Sequence, residues 1–115
     1  MKYEKKLWDY NAEVNRVIDG DSVELIIDEG FRHSWRVSCR MKHINADELR
    51  STDPLTRAMA QKARDYLIKR LPKGTSVYII SRNLDKYGRP EIDLFLNDTN
   101  INQEMLDKGL AVPFM

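Results

Sequence analysis

At 115 residues, with 42% hydrophobic and 32% charged side chains, the chain has the size and composition of one globular domain, residues 1–115, and not of a disordered or multidomain protein. A formal net charge of +1 sets up no global positive field, and no apolar run approaches a membrane span. The single cysteine, Cys39, excludes an internal disulfide and, among alternating apolar residues, reads as a small core residue. Leu7 to Val14 is too polar for the apolar middle of a secretory signal, so the expected location is the cytoplasm, or outside the cell if a leader has been removed. A monomer without membrane association is the default expectation.

Tyr10, Ala12, Val14 and Ile18 recur with period two and predict a strand with one buried face, placing Asn11, Glu13, Asn15 and Val17 on the other. Asp19-Gly20-Asp21 turns the chain, since glycine accepts positive φ and aspartate bonds its own backbone. Val23, Leu25 and Ile27 form the returning strand, and Asp28-Glu29-Gly30 is the next turn. Trp35, Val37, Cys39 and Met41 then alternate with Arg36, Ser38, Arg40 and Lys42, which puts Arg40 on the face away from the core. The alternation breaks at His43-Ile44, where a bulge or the strand's end is expected.

Ser51-Thr52-Asp53-Pro54 opens a helix with a capping side chain and a first-turn proline. Leu55, Ala58, Met59, Ala63, Tyr66, Leu67 and Leu71 supply its apolar face, and Pro72-Lys73-Gly74 ends it. Val77 to Ile80 predicts a central fourth strand, Asp85 to Gly88 a hairpin loop, and Ile92, Leu94 and Leu96 a fifth strand. Asn100 and Gln103 form a capping box for a short helix through Lys108, stopped by Gly109. Met59 and Met105 are assigned to the core, and Trp8 and Trp35 to core or edge packing. The order is α+β, mainly β, and suits a five-stranded barrel of the oligonucleotide-binding type with two helices. A flat sheet has the same order, because periodicity does not specify closure.

Asp19, Asp21, Arg40, Asn45, Glu48 and Arg89 are polar residues at turns and strand ends. Phosphodiester cleavage uses such a set: carboxylates hold a hard cation, one carboxylate positions or deprotonates water, and arginine forks bind the remaining phosphate oxygens. Basic residues also cluster in two segments, Arg32, Arg36, Arg40 and Lys42, and Arg82, Lys86 and Arg89, which make a local patch if the segments meet.

VIDGDSV, CRMKHINADE, DKYGRPEI and NQEMLDKGLA, in this order, resemble the staphylococcal nuclease (thermonuclease) family from about Tyr10 to Ala111. The resemblance implies the same five-stranded barrel and a metal-dependent endonuclease of DNA or RNA, with calcium the expected metal, that acts on single-stranded or frayed segments and leaves 3′-phosphate ends. It implies catalytic roles for Arg40, Glu48 and Arg89, with Glu48 the general base. Asp21 falls on a calcium ligand, Ala46 on a position whose backbone carbonyl ligates calcium, and Asp19 on an acid that acts through water. Lys86 and Tyr87 fall where the nucleotide is bordered.

Two departures stand out. Asn45 replaces the family's second carboxylate ligand with an amide, which still offers oxygen but no charge, so calcium should bind more weakly or Mg2+ or Mn2+ be preferred. After Ala111 the chain reaches Met115 without the family's closing C-terminal helix, a short form in which Phe114 partly replaces the missing aromatic residues. Two other readings stay open: a nucleic-acid-binding module with weakened catalysis, and a protein-interaction domain on the same scaffold.

Overall fold

A computed structural model describes residues 8–47 and 49–114, with the backbone alone at 82. Glu48, the candidate base, therefore lies outside the described residues, as do the side chain of Arg82 and the N-terminal residues up to Leu7.

Three long strands, β1 (Asp9–Asp19), β2 (Ser22–Gly30) and β3 (His33–Met41), form an antiparallel meander, followed by a short β4 (Ile44–Asn45). Helix α1 (Pro54–Arg70) leads to the hairpin β5 (Ser76–Leu84) and β6 (Pro90–Leu96). A two-residue β7 (Thr99–Asn100), helix α2 (Ile101–Asp107) and β8 (Val112–Pro113) complete the chain. The sheet order is β3-β2-β1-β5-β6, and a parallel pairing of β3 with β6 closes it into a five-stranded barrel. Arg40 stands opposite Glu91 and Met41 opposite Ile92 in that seam, and Lys42 N–H donates to the Ile92 carbonyl at 2.8 Å. The barrel is filled by side chains from every strand, including Val14, Val23, Leu25, Met41, Ile79, Ile92 and Leu94, and by Leu67 and Met105 from the helices. Cys39 is fully buried, which pushes its thiol up to about 12 and leaves it inert.

Local signals in the sequence appear as physical caps. Asp53 accepts from Leu55 N–H at 3.1 Å with Pro54 in the first turn of α1, and Asn100 accepts from Gln103 N–H at 3.1 Å. Gly88 and Gly109 take the left-handed conformations their turns require, with φ of 79° and 69°.

Several expectations are corrected. In β1 the register against β2 shifts between Val14 and Arg16, so Val17 is buried and Ile18 only half-buried, the reverse of uninterrupted alternation. The β2–β3 turn lies beyond Asp28-Glu29-Gly30: β2 runs through Gly30, and Phe31 and Arg32 form the tip with φ of 53° and 66°. On α1 the buried face is Ala60, Ala63 and Leu67, a narrower stripe than the apolar spacing predicts, and Leu55, Ala58 and Met59 are exposed. Of the two places expected for Trp8 and Trp35, core or edge, the core is the one they do not take: they are 49% and 42% exposed and line a groove.

A polar link that periodicity does not predict ties the barrel to α2. Asn102, 4% exposed, accepts from Leu94 N–H at 3.0 Å and donates to the carbonyls of Lys42 and Ile92, both at 2.9 Å. It satisfies backbone groups at the barrel seam, so it orders the turn that leads into β4. The two helices are joined by Glu104, which accepts from Arg70 at 2.8 and 3.1 Å and from the Tyr66 hydroxyl. Hydrogen bonds from Arg70 hold the Glu104 carboxyl below its usual range.

Candidate functional site

The β1–β2 turn meets the end of β3 and the loop that follows β4 at one end of the barrel. Asp19 Oδ1 accepts from Asp21 N–H at 3.2 Å, the expected aspartate turn. Gly20 is needed for a different reason than positive φ, which it does not adopt. A Cβ there would come within 2.7 Å of the Ala63 Cβ on α1 and 2.8 Å of the Ala46 Cβ. The missing side chain lets helix, turn and loop approach, and this brings Asp21 to Ala46.

Asp21 is 8% exposed and fully engaged. Its Oδ1 accepts from the Ser22 hydroxyl at 3.1 Å, and its Oδ2 accepts from Ala46 N–H at 2.9 Å. Arg40 Nη1 lies 3.4 Å from the same Oδ2 and donates to the Met41 carbonyl at 2.9 Å. Arg40 Nη2 donates to the Asn45 amide oxygen at 3.2 Å. The guanidinium thus bridges the two side chains expected to share a cation. β8 pairs with β4, Val112 opposite Asn45, and this places the Phe114 ring over the Arg40 guanidinium at 5.7 Å. Asp19 behaves differently: burial, followed by the hydrogen bond and charge of Asp21, pushes its carboxyl up to about 6 from 3.8.

Arg89, Lys86 and Tyr87 form a second group on the β5–β6 turn. Asp85 organises it, accepting from the N–H groups of Tyr87 and Arg89 at 2.8 and 2.9 Å and from Arg89 Nε at 2.7 Å. Burial raises the Asp85 carboxyl, but these bonds outweigh it and hold the group below its usual range. Arg89 and Lys86 both lie against the exposed Tyr87 ring, at 5.7 and 5.2 Å from its centroid. Asp85 engages only Nε, so the two terminal nitrogens of Arg89 are not consumed by it.

The structure therefore brings Asp19, Asp21, Arg40, Asn45 and Ala46 into one cluster, and Lys86, Tyr87 and Arg89 into another. The β3–β6 seam joins them: Arg89 is two residues from Glu91, the partner of Arg40. Beside this seam Lys42 Nζ lies 3.4 Å from the Asn83 amide oxygen of β5, which links one end of the first basic segment to the strand that precedes the β5–β6 turn. A buried polar residue that sequence reading did not single out is Asn102, which lies between the capping residues Asn100 and Gln103 and binds the backbone of the seam beside the first cluster.

Fold and site define an oligonucleotide-binding-type barrel with an acid–arginine cluster at one rim and a second arginine across its closing seam. A family model described as staphylococcal nuclease homologue matches residues 38–115, and the chain belongs to that family, whose members generally act on nucleic acids. Arg40, Asn45, Glu48 and Arg89 fall inside the matched range, and the Asp19-Gly20-Asp21 turn precedes it. No curated protein matches the chain. Among the described residues no helix is long and apolar enough to cross a membrane.

Proposed function

We propose that the protein is a metal-dependent phosphodiesterase that cleaves DNA or RNA strands and leaves 3′-phosphate ends. The observation that carries this reading is the convergence of Asp21, Arg40 and Asn45 in a family that acts on nucleic acids. Among the described residues no three His, Cys, Asp or Glu side chains form a metal cluster, so a cation would need the Asn45 amide and the Ala46 backbone beside Asp21, with Asp19 behind them. That all-oxygen donor set fits a hard cation such as Ca2+, with Mg2+ or Mn2+ as alternatives, and its low charge implies weak binding. Bound there, the cation would neutralise a phosphate oxygen as charge builds at phosphorus.

The chain's own residues do the remaining work. Arg40 exchanges its contacts with Asp21 and Asn45 for phosphate oxygens, and the Phe114 ring keeps its guanidinium plane oriented. Arg89, braced at Nε by Asp85, presents its terminal nitrogens to the same phosphate. Glu48 takes the proton of the attacking water as its oxygen bonds to phosphorus, the P–O5′ bond breaks, and the leaving 5′ oxygen takes a proton from solvent. Lys86 and Tyr87 border the nucleotide. A second reading, a nucleic-acid-binding module with weakened catalysis, is favoured by one observation: Arg40 already satisfies both Asp21 and the amide that stands for a carboxylate.

Single-stranded DNA and RNA incubated with Ca2+, Mg2+, Mn2+ or EDTA test this reading, with Glu48→Gln in parallel. Cleavage is expected with at least one cation and is lost with EDTA and with Glu48→Gln. The products should resist polymerase extension until a phosphatase is added. Intact strands under every cation, with folded protein, would overturn the catalytic reading.

A further inference from the structure

The barrel has two unlike ends. Helix α1 packs at the Gly20 end of β1, where Ala63 meets the turn and Arg64 Nε donates to the Ile18 carbonyl at 3.1 Å. At the Asp9 end no helix of the described residues takes that place, and a groove of about 220 Å³ opens. Trp8, Tyr10, Trp35 and Leu84 give it apolar walls, and Glu29 and Ser81 bring polar groups to it. Trp8 is held there by the sheet, its carbonyl accepting from Ser81 N–H at 3.0 Å.

We infer that this groove is a nucleobase-binding site, which takes one unstacked base of a single-stranded nucleic acid against Trp8 and Trp35. The inference rests on the nucleic-acid reading above and adds to it a place that holds the strand outside the acid–arginine cluster.

Three observations select this occupant. The first is size: the groove is smaller than the roughly 300–1,000 Å³ of sites for drug-sized ligands, and a single flat ring suits it. A second copy or a protein partner would need about 800 Å² of surface on each side, far more than this groove supplies. The second is continuity. Leu84 and Pro90, which line the groove, are the paired residues that close the β5–β6 turn, and that turn carries Lys86, Tyr87 and Arg89. A strand with a base in the groove has its phosphates beside these cations. From Trp35 to Arg40 is five residues of β3, about 17 Å, which a few nucleotides span.

The third is chemistry. Indole faces stack any base, and each stacked base contributes enough to change affinity roughly 5- to 100-fold. The Glu29 carboxylate accepts hydrogen bonds only, so it suits bases that carry an exocyclic amine over thymine or uracil. A duplex keeps its bases stacked and paired, which excludes it from the groove.

Both tryptophans of the chain line the groove, so intrinsic fluorescence reports on it directly. The full chain in EDTA is titrated with oligo(dC), oligo(dT) and a duplex, so that no cleavage contributes. Quenching is expected with both single strands, at lower concentration for oligo(dC), and none with the duplex. Trp8→Ala should weaken oligo(dC) binding roughly 5- to 100-fold, measured by anisotropy of a labelled oligonucleotide. Trp35→Phe keeps a ring and should bind nearly as well as the parent, whereas Trp35→Ala, checked for folding by circular dichroism, should not. Glu29→Gln should narrow the difference between oligo(dC) and oligo(dT).

The result that overturns the groove is unchanged emission with oligonucleotide, or Trp8→Ala and folded Trp35→Ala proteins that bind as the parent does. Equal quenching by duplex overturns it too, as does quenching that tracks self-association in sedimentation without oligonucleotide. Cleavage without any groove response removes this inference and leaves the nuclease reading. Groove binding without cleavage under any cation does the opposite.

Discussion

Replacing Gly20 by alanine should damage both stability and the acidic turn. The added Cβ would lie 2.7 Å from Ala63 Cβ and 2.8 Å from Ala46 Cβ, well inside the 3.4–4 Å of an ordinary contact. Neither neighbour is the end of a flexible side chain that can rotate away. Relief requires a shift of α1 on one side or of the Ala46 loop on the other. Overpacking of this kind costs about 1–3 kcal/mol. With a urea slope near 2 kcal/mol/M, the unfolding midpoint should fall by about 1 M at unchanged slope. The loop shift should also weaken the bond from Ala46 N–H to Asp21, now 2.9 Å, visible as faster exchange of the Ala46 amide. Adding Ala63→Gly removes one of the two contacts, although glycine in a helix costs about 1 kcal/mol by itself. The double variant should therefore lose less than the sum of the singles. A Gly20→Ala midpoint within about 0.2 M of the parent, or strict additivity with Ala63→Gly, would refute the close-approach argument.

Asp19 should make stability depend on acid pH. Its folded pKa of about 6 lies above 3.8, so the folded state holds the proton more tightly, and stability falls as pH rises through about 4 to 6. Asp19→Asn should flatten that window and stabilise the protein at pH 7 by about 1 kcal/mol, a figure discounted for its partial exposure; urea midpoints across pH 4–7 read both. Asn102→Ala should cost about 2–4 kcal/mol, because it strands the Leu94 N–H and the Lys42 carbonyl at the seam and removes one of the two bonds to the Ile92 carbonyl; thermal unfolding measures it. Asn45→Asp restores a charged oxygen beside Asp21 and should lower the half-saturating Ca2+ concentration on the order of tenfold, as titration calorimetry would show. Arg40→Lys keeps the charge but cannot bridge Asp21 and Asn45 through two nitrogens, and it should lower cleavage on the order of 100-fold with the fold intact.

The sequence by itself determined the local features of this protein. Asp53-Pro54 starts one helix and Asn100 the other, Gly88 and Gly109 shape their turns, and the alternation from Val37 to Met41 puts Arg40 outside the core. These follow from residues a few positions apart, where sterics and hydrogen bonding act without help from the rest of the chain. Tertiary structure decided the rest. The β3–β6 pairing that closes the barrel joins residues about 50 positions apart and leaves no mark in either strand's periodicity. The bulge after Val14 exchanges the roles of Val17 and Ile18 because the β2 partner sets the register. Met59 has helical apolar spacing yet stays 36% exposed, and Gly20 answers to Ala63 and Ala46 rather than to its own φ. The engagement of Asp21 and Asn45 by Arg40, with Phe114 above it, likewise depends on turns and a C-terminal strand that only the closed barrel brings together. A side chain's chemistry is written in its own residue, but its partners are set by which distant segments pack beside it.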